Sequence, residues 1–474
     1  MKANRRKFLQ QLAVGSGALT LGLPDFVKAN DGEETISDSF NGYGSAPRFN
    51  MSGYAAPKID KVKIGIIGLG MRGPGAVNRL SNIEGVEIKA LCDKLPERAT
   101  AAQRYLVNKG LPKAAEYSGE NGWKTMIDKE GLDLVYTCTP WDLHTPIAVY
   151  AMESGCHVAT EVPAALTIEN CWKLVDTSER TRKHCMMLEN CCYDFFEMLT
   201  LNMVRNGMFG ELIHAEGAYN HDLLSLNFNK KGYQDMWRLK KNINFNGNLY
   251  PTHGLGPIAQ CMNINRGDRM DYLVSVSSND FLMGAEAEKR AQKDEFYKQF
   301  AGKNYRGNMN VTTIKTVKGK TMMLQHDVTT PRPYSRIHLL SGTKAFASKY
   351  PEPERIAFGE RWVKEAELKK LYDTYSPPII KHVGEIAKKV GGHGGMDFIM
   401  DWRLIDCLRN GLPLDQDVYD AAAWSCIVPL SGKSVAKKST SIDIPDFTRG
   451  AWASNKPVNL TLDGGGNTLI RGQK

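Results

Sequence analysis

From about residue 61 onward, short apolar runs alternate with stretches patterned for helix. Val62-Lys63-Ile64-Gly65-Ile66-Ile67 reads as a buried strand, and the segment from Gly75 to Leu80 opens a helix. The rhythm continues with strands over 86–93, 132–139 and 157–161 and helices over 98–109 and 146–154. Strands alternating with helices in this way predict a doubly wound parallel sheet built from βαβ units. Beyond residue 210 the pattern changes. Strand candidates at 213–219, 272–278, 310–316, 321–327 and 336–341 follow one another with few helices between, which predicts a mostly antiparallel, open-faced sheet. A charged helical insertion at 286–300 and helices at 398–410 and 418–428 complete the pattern. The expected fold class is α/β followed by α+β.

Length and charge sharpen this. A chain of 474 residues suits two or three packed units, and 42% hydrophobic with 24% charged residues is the make-up of a protein with real cores. The net charge of +9 invites a nucleic-acid reading. Lys2, Arg5, Arg6, Lys7 and Lys28 against Asp25, however, place +4 of it within the first 30 residues, and the rest of the chain has no dense basic block. No nucleic-acid partner is expected.

Those first residues read as an address. Asn4-Arg5-Arg6-Lys7-Phe8-Leu9, a mildly apolar stretch from Leu12 to Leu23, and Val27-Lys28-Ala29 as a cleavage site resemble a twin-arginine signal, with a basic amphipathic helix as the alternative. Such a signal exports folded protein, so it predicts a periplasmic location and a cofactor loaded beforehand. No later stretch reaches the roughly 18 apolar residues of a membrane span. The expected organisation is a signal over 1–30, a leader or linker over 31–58, a nucleotide domain over 59–188 and a substrate domain over 189–474. Cys92, Cys138, Cys156, Cys171 and Cys185 lie in apolar runs or helical patterns, and Cys191-Cys192 lacks the partner spacing of a zinc site, so no metal is expected.

The chemistry begins at Gly68-Leu69-Gly70-Met71-Arg72-Gly73, a GxGxxG run between a strand and a helix, with Asp93 closing the next strand 20 residues after Gly73. The glycines permit a tight turn and close backbone approach to a pyrophosphate, while Asp93 can hold both ribose hydroxyls. These features predict a Rossmann domain that binds NAD, since an Asp at that point repels a 2′-phosphate. Thr139-Pro140-Trp141-Asp142-Leu143-His144 and Glu161-Val162-Pro163-Ala164-Ala165 follow later strands and fall at the same sheet edge.

This arrangement resembles the glucose–fructose oxidoreductase, inositol dehydrogenase and MocA-like family over nearly all of residues 61–430. Val162 stands where that family usually carries the lysine of a simple dehydrogenase. Glu161-Val162-Pro163, Glu189-Asn190-Cys191-Cys192-Tyr193, Trp237-Arg238, Tyr250-Pro251-Thr252-His253 and Gly394-Gly395-Met396-Asp397 together resemble glycoside hydrolase family 109, the NAD-dependent α-N-acetylgalactosaminidases. The resemblance implies NAD contacts from Met71, Arg72, Asp93, Trp141, Asp142, Leu143, His144, Glu161, Val162, Asn190 and Tyr250. It implies sugar contacts from Tyr219, Arg238, Tyr250, Pro251, Thr252, His253 and Tyr334. It also implies a route to hydrolysis of a terminal α-linked N-acetylgalactosamine, or a related hexosamine or hexose. In that route C3 is transiently oxidised, the C1 group is eliminated, water adds and C3 is reduced again, so the opposed carboxylates of other glycosidases are not needed.

His253 is the expected base, with Tyr250 or Tyr219 as proton donor. The plainer readings stay open: His253 as a structural loop histidine, Arg238 as a surface cation stacked on Trp237, and His144 as a packing residue. The alternative function is an NAD-dependent sugar or cyclitol oxidoreductase. The expected partner is a small-molecule or glycan substrate, and an open sheet face suggests a homo-oligomer.

Overall fold

Residues 49–472 are described in a computed structural model. The signal (1–30) and residues 31–48 of the leader lie outside them. The remainder of the leader lies against the fold. Met51 and Ala56 are buried, and the Met51 amide donates to the Tyr419 hydroxyl at 3.1 Å. Two apolar side chains in an otherwise polar stretch dock it onto the fold.

The first sheet holds six parallel strands: β1 (Val62–Ile67), β2 (Val86–Asp93), β3 (Ala115–Ser118), β4 (Leu134–Thr137), β5 (His157–Thr160) and β6 (Cys185–Met187). Their order is β3-β2-β1-β4-β5-β6. Every residue of β4 and β5 is buried, as expected of strands covered by helices on both faces. Winding reverses between β1 and β4, which opens a crevice at their carboxyl ends where ligands of such sheets bind.

The second sheet holds nine strands: β7 (Leu212–Asn220), β8 (Met270–Ser277), β9 (Asn310–Thr316), β10 (Thr321–Asp327), β11 (Leu339–Gly342), β12 (Ala345–Ser348), β13 (Arg355–Phe358), β14 (Arg361–Trp362) and β15 (Ile442–Asp443). They run in the order β14-β13-β12-β11-β7-β10-β9-β8-β15, antiparallel except where β7 meets β10. The strand expected over 336–341 starts later, because Ile337 (φ 62°) and His338 (φ 48°) are left-handed and interrupt the ladder. The insertion expected over 286–300 divides into the Met283–Ala291 helix and a 3₁₀ turn over Glu295–Phe300. The helix expected over 418–428 divides at Cys426.

Across the boundary expected at residue 189 the two halves pack on each other. The Met396–Asn410 helix packs on β1 and on the Gly73–Leu80 helix, while the Val418–Ser425 helix packs on β6 and the Ile168–Thr181 helix. Buried Arg79 donates through Nε to Asp401 at 2.7 Å, and the Tyr136 hydroxyl donates to the same carboxylate at 2.9 Å. The partners of this buried carboxylate lie on the Gly73–Leu80 helix and on β4, so the two sequence halves share a core. Among the described residues, no helix is long and apolar enough to cross a membrane.

One contact fixes the second sheet against the helix that carries His253. Gly217 of β7 and Gly254 of the Thr252–Cys261 helix meet backbone to backbone. A Cβ on Gly217 would lie 2.2 Å from the Gly254 oxygen, and one on Gly254 would lie 2.3 Å from the Ala218 nitrogen. Gly254→Ala is therefore expected to destabilise the protein by about 1–3 kcal/mol, read as a fall in Tm.

Buried histidines set the acid limit of stability. Burial pushes His157 and His338 down to about 3 and His184 down to about 4. Unfolded, each would titrate near 6.5. As the pH falls through that value the unfolded chain takes up protons that the folded chain refuses. Stability is thus fully present above pH 6.5 and is lost down to pH 3–4. Each histidine contributes a slope of up to about 1.4 kcal/mol per pH unit, which denaturant midpoints across pH 7 to 4 would measure.

Candidate active site

A cleft of about 390 Å³ opens at the carboxyl ends of β1, β4 and β5 and is lined from both halves of the chain. Its floor is the glycine turn. Gly68 (φ +87°) lies so close to β4 that a Cβ would meet the Cys138 backbone at 2.8 Å, and a Cβ on Gly73 would lie 2.1 Å from the Gly68 oxygen. Gly68, Gly70, Met71 and Arg72 line the cleft, whereas Gly73 lies beneath it and lets the helix start against the turn. Asp93 accepts from the Leu69 amide at 2.6 Å and the Leu95 amide at 2.9 Å. A carboxylate has lone pairs beyond these two for a ribose diol. A turn with no room for side chains, a helix start and a cleft-lining carboxylate fit a dinucleotide. Gly73→Ala is expected to lower the NAD content of purified protein at least about tenfold, because strain of about 1–3 kcal/mol falls on the pyrophosphate turn.

The remaining residues expected at NAD divide into two groups. Trp141, His144, Glu161, Val162 and Tyr250 line the cleft, with Trp141 stacked on Tyr250 at a centroid distance of 5.7 Å. Arg72 Nε donates to Glu161 at 2.8 Å. His144 is fully buried between the carbonyls of Pro163 (2.7 Å) and Thr139 (2.8 Å), so it braces the turn after β4. The side chains of Asp142 and Leu143 lie outside the cleft lining: Asp142 pairs with Lys241 at 2.5 Å and Leu143 is exposed. Asn190 is buried behind the cleft, where its amide donates to Asp397.

The residues expected at the sugar converge from separate elements. Tyr219 ends β7 on the same face as Gly217, and its ring lies 5.4 Å from that of His253, 4.7 Å from Tyr250 and 6.2 Å from Tyr334. Its hydroxyl bonds to His221 Nδ1 at 3.1 Å. Pro251 and Thr252 are buried at the start of the His253 helix. Arg238 is buried rather than a surface cation. Nη1 donates to the Tyr233 hydroxyl at 2.6 Å, and the guanidinium lies 4.9 Å from the Tyr250 ring centre and 5.3 Å from that of Trp141. Burial pushes the Tyr219 and Tyr250 hydroxyls up against the opposing pull of Arg238, which keeps both as neutral proton donors.

Sequence reasoning missed the group that orients His253. Its Nδ1 lies 2.7 Å from Oε1 of Glu189, a fully buried carboxylate that also accepts from the Cys191 amide. Burial works against the Glu189 charge, but His253, Thr252 and the Cys191 amide outweigh it and hold the carboxyl below its usual range. An ionised carboxylate accepts only, so Nδ1 donates to it and Nε2 is the ring nitrogen left for another partner. Gly256 makes the pairing possible, since a Cβ there would lie 2.8 Å from Glu189 Cγ. Cys191 Sγ also lies within 4.8 Å of this pair, making a trio with metal-ligand chemistry. The Nδ1–Oε1 spacing is that of a hydrogen bond, however, and burial pushes the thiol up, which favours a proton-holding pair beside a neutral thiol. Tyr233, which completes the aromatic wall with Trp237, was also missed, as no periodicity marks its loop.

Residues 62–189 match the oxidoreductase family with an NAD-binding Rossmann fold, and residues 193–454 match the glycosyl hydrolase 109 C-terminal domain. An α-N-acetylgalactosaminidase of Bacteroides fragilis is 51% identical over 406 residues, covering 84% of this chain and 95% of that protein. A glycosyl hydrolase family 109 protein of Shewanella pealeana is 44% identical over 97% of this chain and 99% of its own. Among solved structures, levoglucosan dehydrogenase in complex with NADH and levoglucosan aligns at TM-score 0.60 with 18% identity, over 81% of this chain and 100% of that one. Apo scyllo-inositol dehydrogenase from Lactobacillus casei aligns at 0.57 with 13% identity, over 82% and 99%. At such identities the structures share the fold alone. The sequence relationship goes further: this chain belongs to glycosyl hydrolase family 109.

Proposed function

We propose that this chain is a glycosidase that removes a terminal α-linked N-acetylgalactosamine, or a closely related hexosamine or hexose, with NAD retained through the cycle. The observation that carries the reading is one cleft lined by the glycine turn, Asp93, Arg238 and Tyr250, with the rings of Tyr219 and His253 packed on Tyr250 just outside that lining. Half-identity to a protein named as an α-N-acetylgalactosaminidase supports the choice of sugar.

When bound, NAD supplies a reversible hydride acceptor for C3 of the sugar. The turn over Gly68–Gly73 would hold the pyrophosphate, Asp93 the adenosine ribose, and Arg72, Glu161 and Tyr250 the nicotinamide end, with Asn190 behind them. His253 Nε2 takes the proton of the C3 hydroxyl and releases it to solvent, then takes the C2 proton, which departs on the oxygen of the leaving group. On the return it takes a proton from the attacking water and delivers it to C2, and the C3 oxygen regains a proton from solvent as it is reduced. Glu189 stabilises the imidazolium that forms each time. Tyr219 or Tyr250 donates to the C3 oxygen or the leaving group. Arg238 orients the sugar through its hydroxyls and acetamido carbonyl, since a rigid planar guanidinium suits such acceptors. Val162 leaves an apolar wall where a dehydrogenase of the wider family uses a lysine.

The test is cleavage of α- and β-linked nitrophenyl sugars, with and without the 2-acetamido group, in heavy water and without added NAD. Turnover with deuterium at C2 and no net NADH supports the glycosidase. Accumulating NADH without cleavage supports the alternative oxidoreductase.

Export to the periplasm by the twin-arginine route forms part of the same proposal. Supporting it are Arg5-Arg6 and ten unpaired cysteines, all buried except the partly exposed Cys138, as suits a protein that folds in a reducing compartment. Cell fractionation of the Arg5→Lys, Arg6→Lys variant tests it, with cytoplasmic retention as the expected result.

A further inference from the structure

Asp397 stands in the first turn of the Met396–Asn410 helix, with its carboxylate buried. Both of its oxygens are engaged from the cofactor side. Oδ1 accepts from Asn190 Nδ2 at 2.5 Å, and Oδ2 accepts from Arg72 Nη1 at 3.2 Å. Arg79 approaches at 3.4 Å and His393 Nδ1 at 3.0 Å. Arg72 is thereby held at two points, by Glu161 through Nε and by Asp397 through Nη1, which fixes the plane of its guanidinium. Asn190 is a different case. Its amide has nearly the same shape in either orientation, and only an acceptor-only partner dictates which end faces inward. With Nδ2 turned to Asp397, Oδ1 faces the other way, 3.5 Å from Cys191 Sγ.

We propose that Asp397 is a positioning residue for the nicotinamide end of the cleft: it sets the Asn190 amide and the Arg72 guanidinium before NAD binds. The proposal rests on the reading above that Arg72 and Glu161 face the cofactor with Asn190 directly behind them. The second sheet's half of the chain thus supplies a part of the nucleotide site that the Rossmann half lacks.

Asp401 provides the control. It lies one turn further along the same helix, equally buried, bonded to Arg79 at 2.7 Å and Tyr136 at 2.9 Å, and it touches none of the three cofactor residues. Asp397→Asn and Asp401→Asn are compared for Tm, for NAD released on denaturation after dialysis, for the rate of NAD dissociation, and for kcat and KM with NAD in excess. Asp397→Asn is expected to lose NAD at least about tenfold faster and to show kcat lowered about tenfold with KM little changed, the scale of one charged hydrogen bond. Asp401→Asn is expected to lower Tm alone. Asp397→Glu keeps the charge needed by Arg72 and Arg79 but displaces the oxygens, so it is expected to fold and to show the same faster loss. Wild-type protein that holds NAD, with Asp397→Asn or Asp397→Glu matching Asp401→Asn in NAD loss and kcat, overturns the proposal alone. Wild-type protein that binds no NAD overturns the cofactor reading and the proposal with it.

Discussion

His253→Asn is expected to keep the fold and the bound NAD while kcat falls by about 10²–10⁴-fold, the usual contribution of a positioned general base. The expectation rests on placement. His253 sits one residue into its helix, locked to β7 by the Gly217–Gly254 contact, with Nδ1 committed to Glu189. Asparagine retains a polar group of similar reach but offers no basic nitrogen. NAD retention should be untouched, because His253 is not among the residues that line the nucleotide cleft. Full turnover in a variant that still carries NAD would remove His253 from the mechanism, and loss of NAD along with activity would make its role structural.

Glu189→Gln is expected to lower kcat by a comparable factor, about 10²-fold or more, with KM little changed. Glutamine nearly matches the shape of glutamate, so packing against Gly256 and Cys192 survives. What changes is the proton. A carboxylate forces hydrogen onto Nδ1, whereas an amide can donate to Nδ1 and move hydrogen to Nε2, the nitrogen that must accept from the sugar. The developing imidazolium also loses the negative charge that steadies it. Equal kcat for Glu189→Gln and wild type would show that Glu189 serves packing alone.

These two residues also mark how far the sequence could be read. His253 was legible because it closes a Tyr-x-x-His run beside glycines, and Asp93 because a fixed interval follows Gly73. Glu189 opened a motif that was noticed, yet no spacing rule connects position 189 to position 253. Their meeting depends on Gly256, whose importance exists only in three dimensions. Asp397 is the same case at greater range. The first sheet was clear where strands are long and buried, as β1 and β2 are. It was unclear at β3, a four-residue edge strand of half-buried and exposed positions, and at β6, which has only three residues. The Ile168–Thr181 helix escaped notice although Thr167 caps it, its side chain accepting from the Asn170 amide, and Cys171, Trp172, Leu174 and Val175 form its buried side. The second sheet was read as antiparallel from its connections, but the left-handed pair at 337–338 carries no glycine to announce it.

The return of the Met396–Asn410 helix to β1 has a consequence for synthesis. On the ribosome, the Rossmann strands emerge early, but the surface beside β1 stays bare and Arg79 stays without Asp401 until nearly the whole chain has been made. The wall of the glycine turn therefore reaches its finished form only on the complete chain.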